Sequence, residues 1–218
     1  AWSPPEGGAL EVSMPEAPVP EIVVGRLPLY LRALVQMGLE GRQVTSSHEL
    51  GERLGISSAQ IRKDLSQFGE FGKQGTGYNI AFLVEQLKRI LKVETVWDVA
   101  LVGVGDLGRA VAHYAGFLDR GFRIAALFDT DPAKVGTQIN NLPIEDTAGM
   151  VSAIRQRGLK VAMLAVPARD AQGVADRLVE AGIQAILCYA PTSISVPANV
   201  RVQYIDPVVR LQQMTHYL

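Results

Sequence analysis

The feature that most constrains the fold is a glycine-rich turn between a continuous apolar run at 99–102 and an amphipathic stretch. Its residues are Gly103, Val104, Gly105, Asp106, Leu107 and Gly108. In a strand–turn–helix unit the first glycine makes the turn, the second lets the backbone approach a pyrophosphate, and the third packs helix on strand. Free N–H groups at the start of the helix then bind phosphate. The turn predicts a dinucleotide site; a Rossmann-like turn that holds no ligand is the alternative.

Further candidates for this site follow later strands of the predicted sheet. Asp129 ends the next apolar run, about twenty residues after the glycines, where a carboxylate binds both ribose hydroxyls of adenosine. The same carboxylate would repel a 2′-phosphate, so NAD(H) is favoured over NADP(H). Val166 and Pro167 end a later strand, where a loop can lie beneath the nicotinamide, although a plain strand end fits equally well. Lys134 is a candidate contact or an ordinary surface residue on a short helix.

Apolar runs and helical stretches alternate through the C-terminal half of the chain. In order they are 99–102, 108–118, 124–128, 147–156, 161–166, 168–181 and 185–187. Strands that alternate with helices indicate right-handed βαβ units in a parallel sheet. We therefore expect an α/β protein with a Rossmann-type domain over residues 94–205.

The N-terminal part predicts a different kind of domain. Residues 1–24 contain five prolines and show no apolar period, which indicates a flexible arm. Over 25–93 we expect a winged helix-turn-helix, with Pro28 in the first turn of its first helix. Ser46 and Glu49 have the spacing of a capping box. Ser57 begins a third helix that continues through Phe68, and a fourth amphipathic helix follows.

Charge is distributed unevenly along the chain. Ten basic and six acidic residues lie over 26–92, which gives this stretch +4, whereas the whole chain carries −1. A basic module on an acidic protein suits phosphate binding. Candidate DNA contacts, from the recognition helix, the preceding helix and the wing, are Ser46, Ser47, Ser58, Gln60, Arg62, Lys63, Ser66, Lys73 and Tyr78. Helix-turn-helix modules also bind proteins, which is the alternative here.

The C-terminal residues 206–218 predict a helix with Asp206 as N-cap and Pro207 at its first position. Its residues, Val208, Leu211 and Met214 among them, are more apolar than a free terminal helix requires, so we expect it to be buried against another subunit.

Composition excludes several other classes of protein. The single cysteine, Cys188, allows no intramolecular disulfide, and the scattered histidines give no zinc site. No apolar run approaches the roughly 18 residues of a membrane span, and no signal-peptide pattern opens the chain. We therefore expect a cytoplasmic protein with neither a bound metal nor a membrane partner.

From about residue 23 to the C-terminus the chain resembles the Rex family of redox-sensing transcriptional repressors. The matching motifs are RLPLY at 26–30, QIRKDLS at 60–66, FGEFG at 68–72, GTGY at 75–78, the glycine turn, YAP at 189–191, and the ending with Asp206, Leu211, Gln212, Tyr217 and Leu218. The combination is specific, although no single motif is.

The resemblance implies a homodimer on double-stranded palindromic operator DNA, released by NADH while NAD+ competes and permits binding. It implies that helix 206–218 is exchanged with the partner and inserts between its two domains. Arg26, Tyr114 and Asp206 match family switch positions, and the latter two would also contact the cofactor. Pro207 departs from the bulkier residue expected beside the nicotinamide. An ordinary surface base at Arg26 and a buried tyrosine at Tyr114 remain the alternative.

Two other functional classes stay open at this stage. An NAD-dependent dehydrogenase would need a catalytic acid or base beside the nicotinamide, and neither His113 nor His216 is an obvious candidate. We expect no catalytic residue and no enzyme activity. A CoA-binding or nucleotide-binding regulatory subunit without DNA activity would share the same fold.

Overall fold

The chain divides into two compact units that are described separately. The computed structural model describes residues 19–69, 71–73, 77–216 and 218. The small unit ends at Glu94 and the large unit begins at Thr95. Residues 1–18 of the expected arm lie outside the described part, as does Tyr217.

The small unit is a four-helix domain with a three-stranded antiparallel sheet. Its elements are α1 (Glu21–Leu39), β1 (Val44–Thr45), α2 (Ser47–Leu54), α3 (Ser58–Leu65), β2 (Gly72–Lys73), β3 (Gly77–Asn79) and α4 (Ile80–Ile90). The strand order is β1-β3-β2. Two capped helices followed by a hairpin form the predicted winged helix-turn-helix.

Helix α1 begins earlier than the sequence pattern predicts. The expectations of an arm through residue 24 and of Pro28 in the first turn are wrong, because the helix begins at Glu21 and contains Pro28. Val23 and Leu27 are buried in the core of the unit. Burial of this apolar face therefore outweighs the backbone hydrogen bond that an internal proline removes.

Helix α1 also corrects the expectation that no segment reaches membrane length. Its 19 residues are long and apolar enough to cross a bilayer, by length and composition alone. Leu27, Tyr30, Leu34 and Met37 lie in the core cluster of the small unit together with residues of the other three helices. Helix α1 is therefore a core helix of the small unit.

Local capping sets the bounds of α2 and α3. The Ser46 hydroxyl accepts the Glu49 N–H at 3.1 Å, and the Glu49 carboxylate accepts the Ser46 N–H at 3.0 Å, which confirms the predicted capping box. Ser57 caps α3 in the same way through the Gln60 N–H. However, α3 ends at Leu65 and does not reach Phe68 as predicted.

The large unit is a mostly parallel seven-stranded sheet with helices on both faces. Its elements are β4 (Trp97–Val102), α5 (Asp106–His113), β5 (Phe122–Asp129), β6 (Gln138–Ile139), β7 (Leu142–Asp146), α6 (Met150–Arg157), β8 (Val161–Leu164), α7 (Ala168–Glu180), β9 (Ala185–Cys188), β10 (Arg201–Tyr204) and α8 (Pro207–Thr215), with 3₁₀ helices at Ala115–Arg120 and Thr147–Gly149. The strand order is β10-β9-β8-β4-β5-β7-β6, and only β6 runs antiparallel to its neighbour. This sheet confirms the predicted Rossmann-type fold.

Three strands of this sheet were not expected from the sequence. Strands β6 and β7 form a hairpin through Asn140 and Asn141, whose φ values of 50° and 64° suit a tight turn of the mirror-image type. Strand β10 pairs with β9 at the other edge. Strand β8 ends at Leu164, so the predicted extension to residue 166 is wrong.

Helix α8 follows β10 directly. The Asp206 carboxylate accepts the Val208 N–H at 2.9 Å, and Pro207 occupies the first turn, as predicted. None of its described side chains is buried, and Leu211 and Met214 are 58% and 64% exposed.

Candidate dinucleotide site and candidate DNA interface

The glycine turn has the backbone geometry that its sequence requires. Gly103 adopts φ +91°, and a Cβ there would collide with the Ala165 backbone. A Cβ on Gly108 would collide with the carbonyl of Gly103, which shows how closely α5 packs on the turn. By contrast, a Cβ on Gly105 would meet nothing within 4 Å. The first and third glycines therefore serve packing, and the second borders open space.

The start of α5 offers backbone donors to that space. Gly105 occupies the N-cap and supplies no side-chain cap, so the first N–H groups of the helix have no side-chain acceptor. Asp106 and Leu107 form the exposed first turn. Val104 differs, because it is fully buried and its N–H donates to Asp129 Oδ2 at 2.7 Å. This arrangement suits an anion at the helix start.

Asp129 is a fixed anion beside the turn. It ends β5 and accepts hydrogen bonds from Val104 N–H, from Asp131 N–H at 2.9 Å and from Lys134 Nζ at 3.3 Å. Burial raises its pKa, but these donors outweigh burial and hold the pKa below its usual value. The carboxylate is therefore ionised at neutral pH and can accept hydroxyl donors, whereas a phosphate would be repelled.

Sheet order brings Val166 and Pro167, which follow β8, to the same edge. Strand β4 lies between β5 and β8, so residues that follow these three strands are neighbours. The Val166 side chain lies against Gly103, where an added Cβ would approach Val166 Cγ1 to 2.9 Å. Pro167 forms the N-cap of α7. The carboxyl ends of adjacent parallel strands are where ligands bind in such sheets.

Two predicted switch residues lie in the large unit. Tyr114 ends α5, is 49% exposed, and packs edge-to-face on Phe117 with ring centroids 5.0 Å apart. Asp206 caps α8. The third, Arg26, belongs to the small unit and is paired there.

Arg26 is bound to a buried carboxylate that the sequence analysis did not single out. Its Nε and Nη2 donate to the two oxygens of Asp64 at 2.6 and 2.7 Å. The Tyr30 hydroxyl and the Gln60 side-chain amide also donate to Asp64, at 2.6 and 2.7 Å. Asp64 is 0% exposed. Four donors therefore surround one carboxylate, and they come from α1 and α3.

The protonation states of this network follow from its contacts. Burial disfavours the Asp64 charge, but hydrogen bonds from Arg26, Tyr30 and Gln60 outweigh it and lower the pKa of Asp64. The hydrogen bonds to Asp64 raise the pKa of Arg26. Burial, together with the bond to Asp64, raises the pKa of Tyr30 to about 12. The network is thus an ion pair with a neutral tyrosine at pH 7.

A sequence signal for Asp64 was available. Asp64 and Leu65 follow Ile61 by three and four residues, which places all three on one face of α3. All three are buried. A charged residue at such a position requires a partner, because an unpaired buried charge is costly. The helical spacing of the apolar residues around Asp64 would have indicated a buried ion pair.

Some of the predicted DNA-contacting side chains are hydrogen-bonded within the protein, and others are exposed to solvent. Arg62 and Lys63 are exposed on α3, and Arg62 Nη1 donates to the Ser47 hydroxyl at 3.0 Å, which links α3 to the start of α2. The hydroxyl of Ser46 serves the capping box. The amide nitrogen of Gln60 is engaged by Asp64. Arg62 and Lys63 are therefore the cations of α3 that face solvent.

The remaining candidates lie at the ends of α3 and on the wing. Ser58 begins α3, and the Ser66 hydroxyl donates to the Lys63 carbonyl just after the helix. Lys73 is on β2 and Tyr78 on β3. Burial raises the pKa of Tyr78, and the nearby charge of Arg62 opposes this shift. Tyr78 on the wing therefore senses the charge of Arg62 on α3.

Two further predictions from the sequence concern metal binding and the thiol of Cys188. Within the described residues no group of three or more His, Cys, Asp or Glu side chains could hold a metal ion. Cys188 is fully buried at the end of β9, and burial raises the pKa of its thiol.

Two family models match the chain. "CoA binding domain" matches residues 94–192, and "Putative DNA-binding protein N-terminus" matches residues 18–66. The two matches divide the chain as the fold does.

Similar proteins share almost the whole length of the chain. A protein of Chloroflexus aurantiacus named redox-sensing transcriptional repressor Rex is 55% identical over 199 residues, covering 91% of this chain and 94% of its own. A protein of Streptomyces avermitilis with the same name is 44% identical, over 89% of this chain and 77% of its own.

Solved structures of a Rex-family repressor called RSP are also similar. RSP in complex with NAD+ and operator DNA is 34% identical and superposes with a TM-score of 0.88, over 93% of each chain. RSP in complex with NADH is 32% identical, with a TM-score of 0.84, over 93% of this chain and 95% of its own.

Proposed function

Because the chain belongs to the Rex family of redox-sensing transcriptional repressors, we propose that it binds operator DNA as a homodimer when NADH is scarce and leaves it when NADH accumulates. The proposal depends on one observation, which is that two elements occur in the same chain. One is an open glycine turn beside the ionised Asp129, and the other is a helix-turn-helix that exposes Arg62 and Lys63. The relatives are named repressors, so the chain is a regulator rather than a dehydrogenase.

The residues around the glycine turn fit NAD(H). The open side of Gly105 and the uncapped N–H groups of α5 would receive the pyrophosphate. Asp129 would accept the hydroxyls of the adenosine ribose and exclude a 2′-phosphate. Val166 and Pro167 would line the nicotinamide end, with Tyr114 and Asp206 as further contacts. Lys134 acts indirectly here, because it holds Asp129.

The small unit would hold DNA mainly through α3. Arg62 and Lys63 would enter the major groove or contact its phosphates. The start of α2, with Ser46 and Ser47, would meet a phosphate, because helix N-termini favour anions. Ser58 and Ser66 lie at the two ends of α3, and Lys73 and Tyr78 would contact DNA from the wing. Gln60 contributes less, because its amide nitrogen serves Asp64.

A homodimer explains the exposed apolar residues of α8. Leu211 and Met214 are more than half exposed, which is costly for a free helix. We assign residues 206–218 as the segment exchanged with the partner subunit. We assign the DNA-binding domain to residues 21–93, because α1 begins at Glu21, and the cofactor-binding domain to residues 94–205. A dimer would read a palindrome in half-sites about one helical turn apart, and the protein would act in the cytoplasm.

The switch rests on one unit of charge. The nicotinamide ring is cationic in NAD+ and neutral in NADH, so an apolar pocket penalises NAD+ by desolvation and a nearby carboxylate such as Asp206 relieves the penalty. A ligand shifts an equilibrium only by its differential affinity for the two states. Moving a dimer from 1:99 to 99:1 takes about 5.5 kcal/mol, or nearly 3 kcal/mol from each of two sites.

Moving Arg26 during the switch would break its hydrogen bonds to Asp64. In the structure its guanidinium forms two bonds to Asp64, whose carboxylate is fully buried. A state in which Arg26 left Asp64 would leave this carboxylate with only Tyr30 and Gln60 as donors. The geometry of α3 would then change, which is a route from the cofactor to the DNA contacts.

A mobility-shift titration at fixed salt tests the proposal. The wild-type protein on a palindromic operator should be released by NADH and retained with NAD+, whereas CoA should have no effect. Persistent binding at saturating NADH, or equal release by CoA, would contradict the proposal.

Two variants test the DNA-binding side of the same titration. Arg62→Ala and Lys63→Ala should each weaken binding by about 1–3 kcal/mol and reduce the salt dependence by about one phosphate contact. Lys88→Ala is the matched control, because Lys88 is an exposed base on α4 of the same unit. A loss for Lys88→Ala equal to that for Arg62→Ala would indicate nonspecific attraction instead of recognition by α3.

A further inference from the structure

Two side chains hold the connection between β9 and β10. The Ser195 N–H donates to Oε1 of Gln172 at 2.8 Å, and the Gln172 amide nitrogen donates to the Ser195 carbonyl at 2.9 Å. The Ile194 N–H donates to Tyr204 Oη at 3.0 Å, and the Tyr204 hydroxyl donates to the Ile194 carbonyl at 3.2 Å. Two consecutive residues therefore have both of their backbone polar groups bound by side chains. We refer to Gln172 and Tyr204 as the clamp residues.

The clamp residues fix a stretch of chain that would otherwise be an ordinary surface connection. The backbone of such a connection usually bonds to water, and holding it in one conformation costs entropy. Gln172 belongs to α7 and Tyr204 to β10, so the two anchors come from separate elements. The Ile194 side chain is 8% exposed and lies in a core cluster of the large unit. The connection is therefore held by hydrogen bonds and by packing at the same point.

The clamp residues lie at the same end of the sheet as Asp129 and the glycine turn. Across β5, β4, β8, β9 and β10 the strand register pairs one residue of each strand with one of the next, in the order Phe128, Val102, Leu164, Cys188 and Tyr204. Asp129 follows the first member of this row, and Gly103 follows the second. Tyr204 is therefore at the level of the sheet from which both cofactor candidates emerge.

The nicotinamide half of the cofactor would extend towards the clamp residues. In the proposed function Asp129 receives the adenosine ribose on the β5 side of the glycine turn, so the other half crosses β8 and approaches β9. The connection after β9 begins there, because the Tyr189 N–H donates to the Leu164 carbonyl at 2.9 Å. Two strand spacings, about 10 Å, separate β9 from β4. Residues 189–193, which include the YAP motif, are therefore placed to form a second wall of the nicotinamide end, beyond the loop after β8.

We propose that Gln172 and Tyr204 are positioning residues for the nicotinamide half of the cofactor. They hold Ile194 and Ser195, and they thereby fix residues 189–193 as a wall that is in place before NADH binds. The inference rests on the proposed function, which assigns the nicotinamide end to this side of the glycine turn. A wall that is held in advance leaves less chain to be ordered on binding, so the affinity for the whole dinucleotide is higher. The clamp residues act through the backbone that they hold.

A comparison of NADH with ADP-ribose tests the proposal, because ADP-ribose has the adenosine, the pyrophosphate and the second ribose but lacks the nicotinamide ring. Gln172→Ala and Tyr204→Phe should each weaken NADH binding by about three- to tenfold, the equivalent of one hydrogen bond that has to form again on binding. Binding of ADP-ribose should not change. Isothermal titration calorimetry of the full chain measures both affinities. Equal losses for the two ligands, as expected from general damage to the fold, or an unchanged NADH affinity would overturn the proposal.

Gln156→Ala is the matched control for Gln172→Ala. Gln156 is an exposed glutamine on α6, so its removal reports the general effect of losing such a side chain from a helix of this unit. Its affinities for NADH and for ADP-ribose should equal those of the wild type. Tyr204→Phe keeps the aromatic ring and removes only the hydroxyl that bonds Ile194. A loss of NADH affinity in Gln156→Ala as large as that in Gln172→Ala would also count against the positioning role.

Amide hydrogen exchange without cofactor distinguishes this proposal from the proposed function. Tyr204 holds the Ile194 N–H and Gln172 holds the Ser195 N–H, so each variant should accelerate exchange at its own amide by about two- to tenfold. Unchanged exchange at both amides would overturn the proposal even if NADH releases the wild type from DNA. If NADH did not bind the wild type, the proposed function and the positioning role would both fail. The exchange rates would still show whether the two side chains hold the connection.

Discussion

Asp64 of the small unit and Asp129 of the large unit are both buried carboxylates with a lowered pKa, but different kinds of donor hold them. The donors to Asp64 are side chains, and two of them reach it from another helix. The donors to Asp129 are two backbone N–H groups and the side chain of Lys134.

The difference separates a carboxylate that joins two helices from one that, in the proposed function, would bind a ligand. Side-chain donors from α1 fix the orientation of α3, so Asp64 determines how Arg62 and Lys63 are presented. Backbone donors fix Asp129 itself at the open edge of the sheet, where strand ends meet. Burial and pKa alone would have assigned the two residues the same role.

Among the variants that test this comparison, Asp64→Ala is expected to have the largest effect on the free energy of unfolding. The substitution leaves the Arg26 guanidinium and the fully buried Tyr30 hydroxyl without their acceptor, so the free energy of unfolding should fall by about 3 kcal/mol. Urea denaturation followed by helical circular dichroism measures the loss.

Asp98→Ala is the matched control for Asp64→Ala. Asp98 forms an equally short pair with Arg123, at 2.7 Å, but both side chains are exposed. Water screens an exposed ion pair, so the free energy of unfolding should barely change. A similar loss for both variants would mean that the buried network does not join α1 to α3.

Asp129→Asn should act on cofactor binding more than on folding. Loss of the charged acceptor should weaken NADH binding by about 1.5–3 kcal/mol, roughly ten- to a hundredfold, and reduce the discrimination against NADPH. Fluorescence titrations with NADH and with NADPH measure the two affinities. Asp131→Asn, which also removes a carboxylate beside Lys134, is the control. An equal loss for the two variants would remove the special role of Asp129.

The smallest effect is expected at alkaline pH. The pKa of Tyr30 is raised to about 12 from an ordinary value of 10.0, so the folded state favours the neutral phenol. Its contribution to stability is fully present below pH 10 and is lost as the pH rises through about 12. Tyr30→Phe should cost about 1 kcal/mol at neutral pH.

The difference between wild type and Tyr30→Phe isolates this titration, because the other tyrosines and lysines are common to both proteins. Unfolding by urea at several pH values should show the gap narrowing from pH 10 upwards. A constant gap would mean that the Tyr30 hydroxyl does not favour its neutral form in the network.

Features specified by local residues could be predicted from the sequence. The capping box of Ser46 and Glu49, the N-cap at Asp206 and the turn between Gly103 and Gly108 each depend on a few consecutive residues. Their backbone hydrogen bonds have the same partners wherever such a segment occurs. The strand–helix alternation likewise predicted the parallel sheet of the large unit.

Features specified by distant contacts could not be predicted in the same way. Pro28 has a strong local preference for a first turn, but burial of Val23 and Leu27 extends α1 before it. The short strands β6 and β10 depend on pairing with neighbours. The bonds from Arg26 and Tyr30 to Asp64 span 38 and 34 residues. The three-dimensional structure is needed to show that Arg26 and Tyr30 are the partners of Asp64.

The burial of Cys188 has a consequence for how a redox signal would enter this protein. The only sulfhydryl of the chain is inside the sheet, and its raised pKa keeps it protonated, whereas oxidants and alkylating reagents attack the thiolate. Peroxide therefore has no ready thiolate to attack in the native state. Labelling of this atom by an alkylating probe would instead report transient opening of the sheet around β9, at a rate set by its local stability.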